Sequence, residues 1–297
     1  SLRRLGLKVA MITRRPDESI EDMRRRLPGE VARLAGPRTL VEAPETLAIT
    51  RDLPSDTRLH IRLHGSRHFG AWLQDAVPGL GDIERIFQFA GGASNLTFQI
   101  DCANDSVVMR TSPTGRKAAS AHDMVREARL LTALRPGFDK VPEVLATAGE
   151  DSPIGRPLFI SEYVAGTILR RDLPEGAPVE AMADTFVQSL VDLHAVDTTS
   201  GELASFNKGA GYVRRQVDGW SNRYRQAHTE DVPDGESVMA WLDQRQPADA
   251  GACVIHNDWR FDNVVLDPDD LSRIKAVLDW ELATVGDPFM DLGSAMA

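Results

Sequence analysis

The stretch from Cys253 to Gly293, CVIHNDWRFDNVVLDPDDLSRIKAVLDWELATVGDPFMDLG, constrains the fold more than any other part of the 297-residue chain. It sets His256, Asp258, Asn263 and Asp279 in two short loops. Around them lie the apolar β-type runs Val254-Ile255, Val264-Val265-Leu266 and Ile274 to Leu278. Asp258 and Asn263 are five residues apart. A turn at Pro268-Asp269-Asp270 folds the last run back as a β-hairpin that closes on Asp279. Two carboxylates and an amide oxygen thereby converge. Hard oxygen donors of this kind suit Mg2+, which keeps several waters and shares itself with a substrate's phosphates. Phosphoryl transfer needs such a metal together with a carboxylate that orients the attacking hydroxyl.

His256-x-Asp258-x4-Asn263 followed by Asp279 resembles the catalytic and metal-binding loops of the protein-kinase-like superfamily, in the form used by aminoglycoside phosphotransferases and related small-molecule kinases. The tail DWELATVGDPFMDLG is similar to the phosphotransferase branch found fused to, or encoded beside, acyl-CoA dehydrogenases. The resemblance implies ATP and Mg2+ as cofactors and a small-molecule hydroxyl as acceptor. It makes Asp258 the residue that orients or deprotonates that hydroxyl, with Asn263 and Asp279 as metal ligands. His256 and Asp291 become scaffold residues of the loop. Asn257 stands where protein kinases carry the arginine of HRD, Trp280-Glu281 replaces the Phe-Gly of DFG, and no APE follows, so a protein substrate is disfavoured. A P-loop kinase is excluded by the absence of GxxxxGK[ST].

The composition, 42% hydrophobic and 26% charged, is that of a globular chain with room for two lobes. A net charge of −10 argues against nucleic-acid or anionic-membrane partners. No apolar run approaches the roughly 20 residues that span a bilayer. Two cysteines, Cys102 and Cys253, make no disulfide framework and point to a reducing compartment. The expected location is cytoplasmic.

Residues 1–66 are read as a βα segment without assignment: a strand at Leu7 to Thr13, a helix opening at Ser19 with Asp22, and an alternating strand over Leu59 to His64. The resemblance begins near Phe69, and residues 67–164 are read as a β-rich N-lobe. A helix over Phe69, Trp72, Leu73 and Ala76 precedes a hairpin of Ile83 to Phe89 and Leu96 to Ile100. At the hairpin tip Gly91, Gly92, Ala93, Ser94 and Asn95 are small enough to bring backbone N–H groups close to phosphate oxygens. Val107-Val108-Met109-Arg110 is a strand ending in a cation. In the helix that follows, Met124, Ala128, Leu131 and Leu134 mark a buried face that Glu127 shares. A carboxylate on that face needs a partner, and the resemblance implies that Glu127 positions Arg110 to hold the nucleotide's phosphates. The family's usual residue there is lysine. Pro157 to Ile160 reads as a strand running into the linker Ser161 to Val164, where the resemblance places the backbone of Glu162 and Val164 on the adenine edge.

Residues 165–297 are read as a helical C-lobe, with helices over Met182, Phe186, Leu190 and Leu193, over Tyr212 to Tyr224, and over Val238 to Leu242. His194 is expected as a helix-end structural residue, and Trp220, Arg223 and Tyr224 as packing or acceptor-lining residues. A last helix opens at Pro288. The family continues with further helices, so the C-lobe is read as incomplete. The fold class is α+β, a two-lobed protein-kinase-like fold preceded by a βα segment. The resemblance favours a hydroxyacyl-CoA as acceptor. A cationic acceptor of the aminoglycoside or choline type, or a nucleotide-binding module without turnover, stays open.

Overall fold

The computed structural model describes residues 59–61, 67–89, 95–112, 123–170, 173–229 and 231–296. The expected strand at Leu7 to Thr13, the helix after Ser19 and the glycine-rich tip from Gly91 to Ser94 lie outside these residues. Two compact units result: residues through Val125 with Val144–Tyr163, and Arg126–Glu143 with Val164–Ala297.

The first unit is built on six strands, among the described residues, in the order β1-β2-β3-β4-β6-β5. They are β1 (Leu59–Ile61), β2 (Ile83–Gln88), β3 (Leu96–Cys102), β4 (Ser106–Thr111), β5 (Val144–Ala148) and β6 (Leu158–Glu162), with every neighbouring pair antiparallel. Side chains alternate across a pleated strand, so Phe98 and Ile100, Val107 and Met109, and Leu158 and Ile160 share one face. Helix α1 (Arg67–Ala76) buries Phe69 and Leu73 in the same core. Arg110 directly follows Met109 and therefore sits on the other face, opposite Thr97 and Phe159 in register.

The sequence reading ended the last strand of this unit at Ile160. The ladder instead carries β6 through Glu162, because Ser161 and Glu162 find partners in Val108 and Val107. Strand β1 is tied to β2 through Leu59 to Ile61, which draws this short piece of the N-terminal segment into the sheet.

Helix α2 (Met124–Leu134) buries Met124, Ala128, Leu131 and Leu134, and Glu127 is buried with them. From Arg126 onward it groups with the second unit, where Arg126 Nη2 donates to Ala283 O at 2.7 Å. Helices α3 (Val179–His194), α4 (Tyr212–Ala227) and α5 (Glu236–Arg245) follow. The inward residues of α3 are Met182, Phe186, Ser189, Leu190 and Leu193, spaced by three and four as one helical face requires.

Strand β7 (Cys253–Ile255) pairs with β10 (Thr284–Gly286), and β8 (Val264–Leu266) pairs with β9 (Ile274–Val277), both antiparallel. Helix α6 (Phe289–Met296) closes the described chain, with Asp287 Oδ1 accepting the Phe289 N–H at 3.0 Å at its start. No residue of β7 or β8 is exposed, as their uninterrupted apolar runs predict. Gly166 is required where the chain enters this unit: a Cβ there would meet Val265 Cγ1 at 2.5 Å and overlap the Leu266 carbonyl. That carbonyl accepts the Thr167 N–H at 2.8 Å. No described helix is long and apolar enough to cross a membrane. Cys102 and Cys253 are free and buried.

Candidate active site

The β8–β9 hairpin brings together what the sequence keeps sixteen residues apart at Asn263 and Asp279. Val264 pairs with Val277, and one step beyond the ladder the Leu278 N–H donates to Asn263 O at 2.7 Å. Asp279 follows immediately, in the left-handed region at φ 66°, ψ 58°. Among the described residues only Asn257 and Asp279 combine a side chain with positive φ. That conformation costs an L-residue roughly 1–2 kcal/mol, and Asn and Asp tolerate it best because their short polar side chains bond locally. Both bends therefore occupy the loops that carry the acids.

Asn263 Nδ2 donates to Asp258 Oδ2 at 2.9 Å and to Asp258 O at 2.9 Å. The amide nitrogen is thus committed to the loop, and its oxygen is the atom suited to a cation. Asp258 Oδ1 is the carboxylate oxygen that Asn263 leaves to another partner, with Arg260 Nη1 at 3.9 Å. Arg260 itself is gripped by Asp262, through Nε at 2.9 Å and Nη2 at 2.6 Å.

His256 is fully buried between Trp280 and Trp259, whose rings meet it edge-on at centroid distances of 4.6 and 5.7 Å. Its Nδ1 accepts the Asp258 N–H at 3.2 Å, so the proton sits on Nε2, which donates to Leu278 O at 2.9 Å. The ring joins the two acid-bearing loops. Burial lowers its pKa below the usual 6.5, outweighing the nearby carboxylates led by Asp291 that act in the opposite sense.

The unfolded chain consequently binds a proton here more readily than the native one, which gives a sign to the pH dependence. Stability from this residue is fully present above pH 6.5 and is lost as pH falls through the lower native value. Urea midpoints should fall on acidification below pH 6.5, and the fall should be shallower in His256→Gln; equal slopes would refute the assignment.

Asp291, on α6 and with no exposed surface, receives the His256 N–H at 2.8 Å and the Asn257 N–H at 2.6 Å. His194, the last residue of α3, places Nε2 3.0 Å from the same carboxylate. Asp291 thus braces the loop, as the sequence reading expected, and His194 supports it from the helix end, the structural place that reading gave it. Asn257 Nδ2 donates to Leu282 O at 2.8 Å, and Ser294 Oγ accepts the Trp259 N–H at 2.9 Å. The bracing role of Ser294 has no local sequence signal, since it depends on a loop thirty-five residues away.

The remaining sequence candidates are distributed as follows. Asn95 is buried immediately before β3, Arg110 lies on β4, Glu162 ends β6, and Val164 is half-buried just after it. Glu127 is buried on α2 in the second unit. Gly91, Gly92 and Ser94 fall outside the described residues. Of the aromatic cluster, Trp220 is largely exposed beneath the Arg223 guanidinium at 4.3 Å, and Tyr224 Oη donates to Pro233 O at 2.6 Å. Among the described residues no three His, Cys, Asp or Glu side chains form a metal cage. A Mg2+ site built from one or two protein oxygens and substrate phosphates needs none.

The phosphotransferase enzyme family matches residues 85–297. Acyl-CoA dehydrogenase family member 10 of Mus musculus is 38% identical over 210 residues, covering 70% of this chain and 20% of that protein. The chain thus spans a fifth of the length of this curated relative. A crystal structure of a candidate aminoglycoside phosphotransferase from Ralstonia eutropha JMP134 is 33% identical, with a TM-score of 0.66, covering 78% of this chain and 69% of that one. Aminoglycoside phosphotransferase APH(4)-Ia, solved with ADP and hygromycin B, is 20% identical, with a TM-score of 0.54 and coverage of 76% and 75%. The two-lobed kinase-like α+β fold expected from the sequence is the fold these structures share.

Proposed function

Because the chain belongs to the phosphotransferase enzyme family, and is a small-molecule kinase of that family, we propose that it transfers the γ-phosphate of ATP to a hydroxyl of a hydroxyacyl-CoA or related hydroxy acid derivative. The observation that carries this reading is the bond from Asn263 Nδ2 to Asp258 Oδ2, made beside the backbone bridge that delivers Asp279.

Asp258 is the group that meets the acceptor. With Oδ2 held by Asn263, Oδ1 takes the hydroxyl proton as the new O–P bond forms and the bond from the γ-phosphorus to the ADP oxygen breaks, leaving ADP with the electron pair. The transition state is loose, so positioning and charge neutralisation supply most of the rate. Asn263 Oδ1 and the Asp279 carboxylate are hard oxygen donors that fit Mg2+, and they would hold it. When bound, the metal neutralises charge on the phosphate oxygens.

Arg110 clamps the nucleotide's phosphates and Glu127 positions Arg110. The small residues Gly91, Gly92, Ser94 and Asn95 offer backbone N–H groups to the phosphates, and the backbone of Glu162 and Val164 recognises adenine. In this reading residues 67–164 form the nucleotide-binding lobe and 165–297 the acceptor lobe, with 1–66 left unassigned. The complex of APH(4)-Ia with ADP supports nucleotide binding by this fold. The relative's name supports an acyl-CoA dehydrogenase as fused or neighbouring partner.

The test is Mg2+-dependent ADP release from ATP against hydroxyacyl-CoAs, free hydroxy acids, choline and aminoglycosides. Release with the acyl acceptors is expected, with Asp279→Ala weakening apparent Mg2+ affinity by more than about tenfold. Release with choline or aminoglycosides alone would move the acceptor to the cationic class. ATP binding with silence across the panel would leave a binding module, which the arginine at position 110 in place of lysine keeps in view. No nucleotide binding at all would overturn the reading.

A further inference from the structure

The loop that carries Asp258 also walls an open cavity of about 410 Å3 in the second unit, within the ~300–1,000 Å3 range of small-molecule sites. Its apolar lining comes from Leu169, Leu173, Val179, Met182 and Phe261. Phe261 is fixed by stacking on Phe186 of α3, with centroids 4.2 Å apart and planes 12° from parallel. Leu173 and Val179 leave more than half of their surface in water, at 53% and 54% exposure. Large apolar side chains left open around a concave site are a feature of surfaces that cover something.

The charged lining is Arg170, Arg260 and Asp262. Two guanidiniums face one carboxylate, and that carboxylate is already spent on the two bonds from Arg260. The cavity is therefore apolar with a net positive charge. Arg260 links it to the chemistry, since its Nη1 lies 3.9 Å from Asp258 Oδ1.

Resting on the kinase reading above, we infer that this cavity is the subsite for the acceptor's aliphatic chain, with Arg170 holding an anionic group of the same molecule. A hydroxyl on a chain seated against Phe261 is brought toward Asp258 along the short path that Arg260 spans. A polycationic acceptor fits poorly, because it would set ammonium groups beside two guanidiniums and find one carboxylate already engaged. The anion is either the carboxylate of a free hydroxy acid or the phosphates of a CoA thioester, and both offer oxygens to a guanidinium fork.

The experiment is calorimetric titration of unhydroxylated analogues, a saturated acyl-CoA and the matching free fatty acid, into the parent chain and into Arg170→Glu and Ala183→Trp. Ala183 lines the cavity from the exposed side of α3, so the larger side chain fills the site without entering the core. The expected result is binding of at least one analogue, weakened at least tenfold in both variants, with ATP affinity and melting temperature unchanged. Binding of the fatty acid selects the carboxylate; binding of the thioester alone selects the phosphates. No binding to the parent, equal binding in all three proteins, or displacement by an aminoglycoside would overturn the subsite. ADP release with the hydroxylated compounds is read separately. Release with affinities indifferent to the variants removes the subsite and leaves the kinase, whereas variant-sensitive binding without release keeps the subsite and removes the kinase.

Discussion

Asp258→Ala is expected to lower turnover by about 10²–10⁴-fold, the usual contribution of a positioned general base, with ATP affinity and the unfolding midpoint close to those of the parent. The structure separates the two effects. Asp258 is only partly buried, its side chain 34% exposed, and removal of its carboxylate leaves Asn263 Nδ2 still bonded to the Asp258 carbonyl at 2.9 Å. No buried donor is orphaned, so the loop keeps its shape while losing the oxygen proposed to receive the proton. Asp258→Asn sharpens the test. Its amide oxygen can still accept from Asn263, yet it cannot take a proton near neutral pH, so it should be as slow as the alanine variant. Asn activity near that of the parent would show that Asp258 orients the hydroxyl without accepting its proton. Parent-like activity in Asp258→Ala would remove it from the reaction.

Asp291→Ala acts in the other direction, through the fold. One carboxylate with no exposed surface receives the N–H groups of His256 and Asn257 and lies against His194 Nε2. Its removal leaves two backbone donors and a partly buried imidazole without their acceptor. Each donor orphaned where it is buried costs about 1–3 kcal/mol, so the loss is on the order of a few kcal/mol. Equilibrium urea unfolding should show the loss, and Asp291→Asn, which retains one acceptor, should fall between parent and alanine. A midpoint equal to the parent's would mean that the loop is held elsewhere.

The acid-bearing loops were legible because their signal is local. Uninterrupted apolar runs at Val264 to Leu266 and Ile274 to Val277, joined by a Pro-Asp-Asp turn, admit little besides a hairpin, and Asp279 follows from its register. The inward face of α3 was equally plain from spacing. Strand β5 was not read: Val144 to Ala148 is a short run, VLATA, without apolar-polar alternation, and it becomes a strand through partners in β6 that lie ten and more residues away. The same holds for β10, three residues long and made by β7. Ser294 and the Leu278 peptide escaped for a related reason. Their work is done by a hydroxyl or a backbone group reaching across the fold, and residue types at one position carry no trace of that.

The backbone of Leu278 has a wider consequence. Its N–H is bonded to Asn263 O and its C=O to His256 Nε2, groups of two successive amide planes that share the Leu278 Cα. The main chain of one residue therefore ties the strand end at Asn263, the bend at Asp279 and the histidine together, whatever side chain other than proline position 278 carries. The turn from Asp267 to Arg273, closed by the Asp267 N–H on Arg273 O at 2.9 Å, sets the register on which that tie depends. The side chain at 278 is thus less constrained than the length of the turn in front of it.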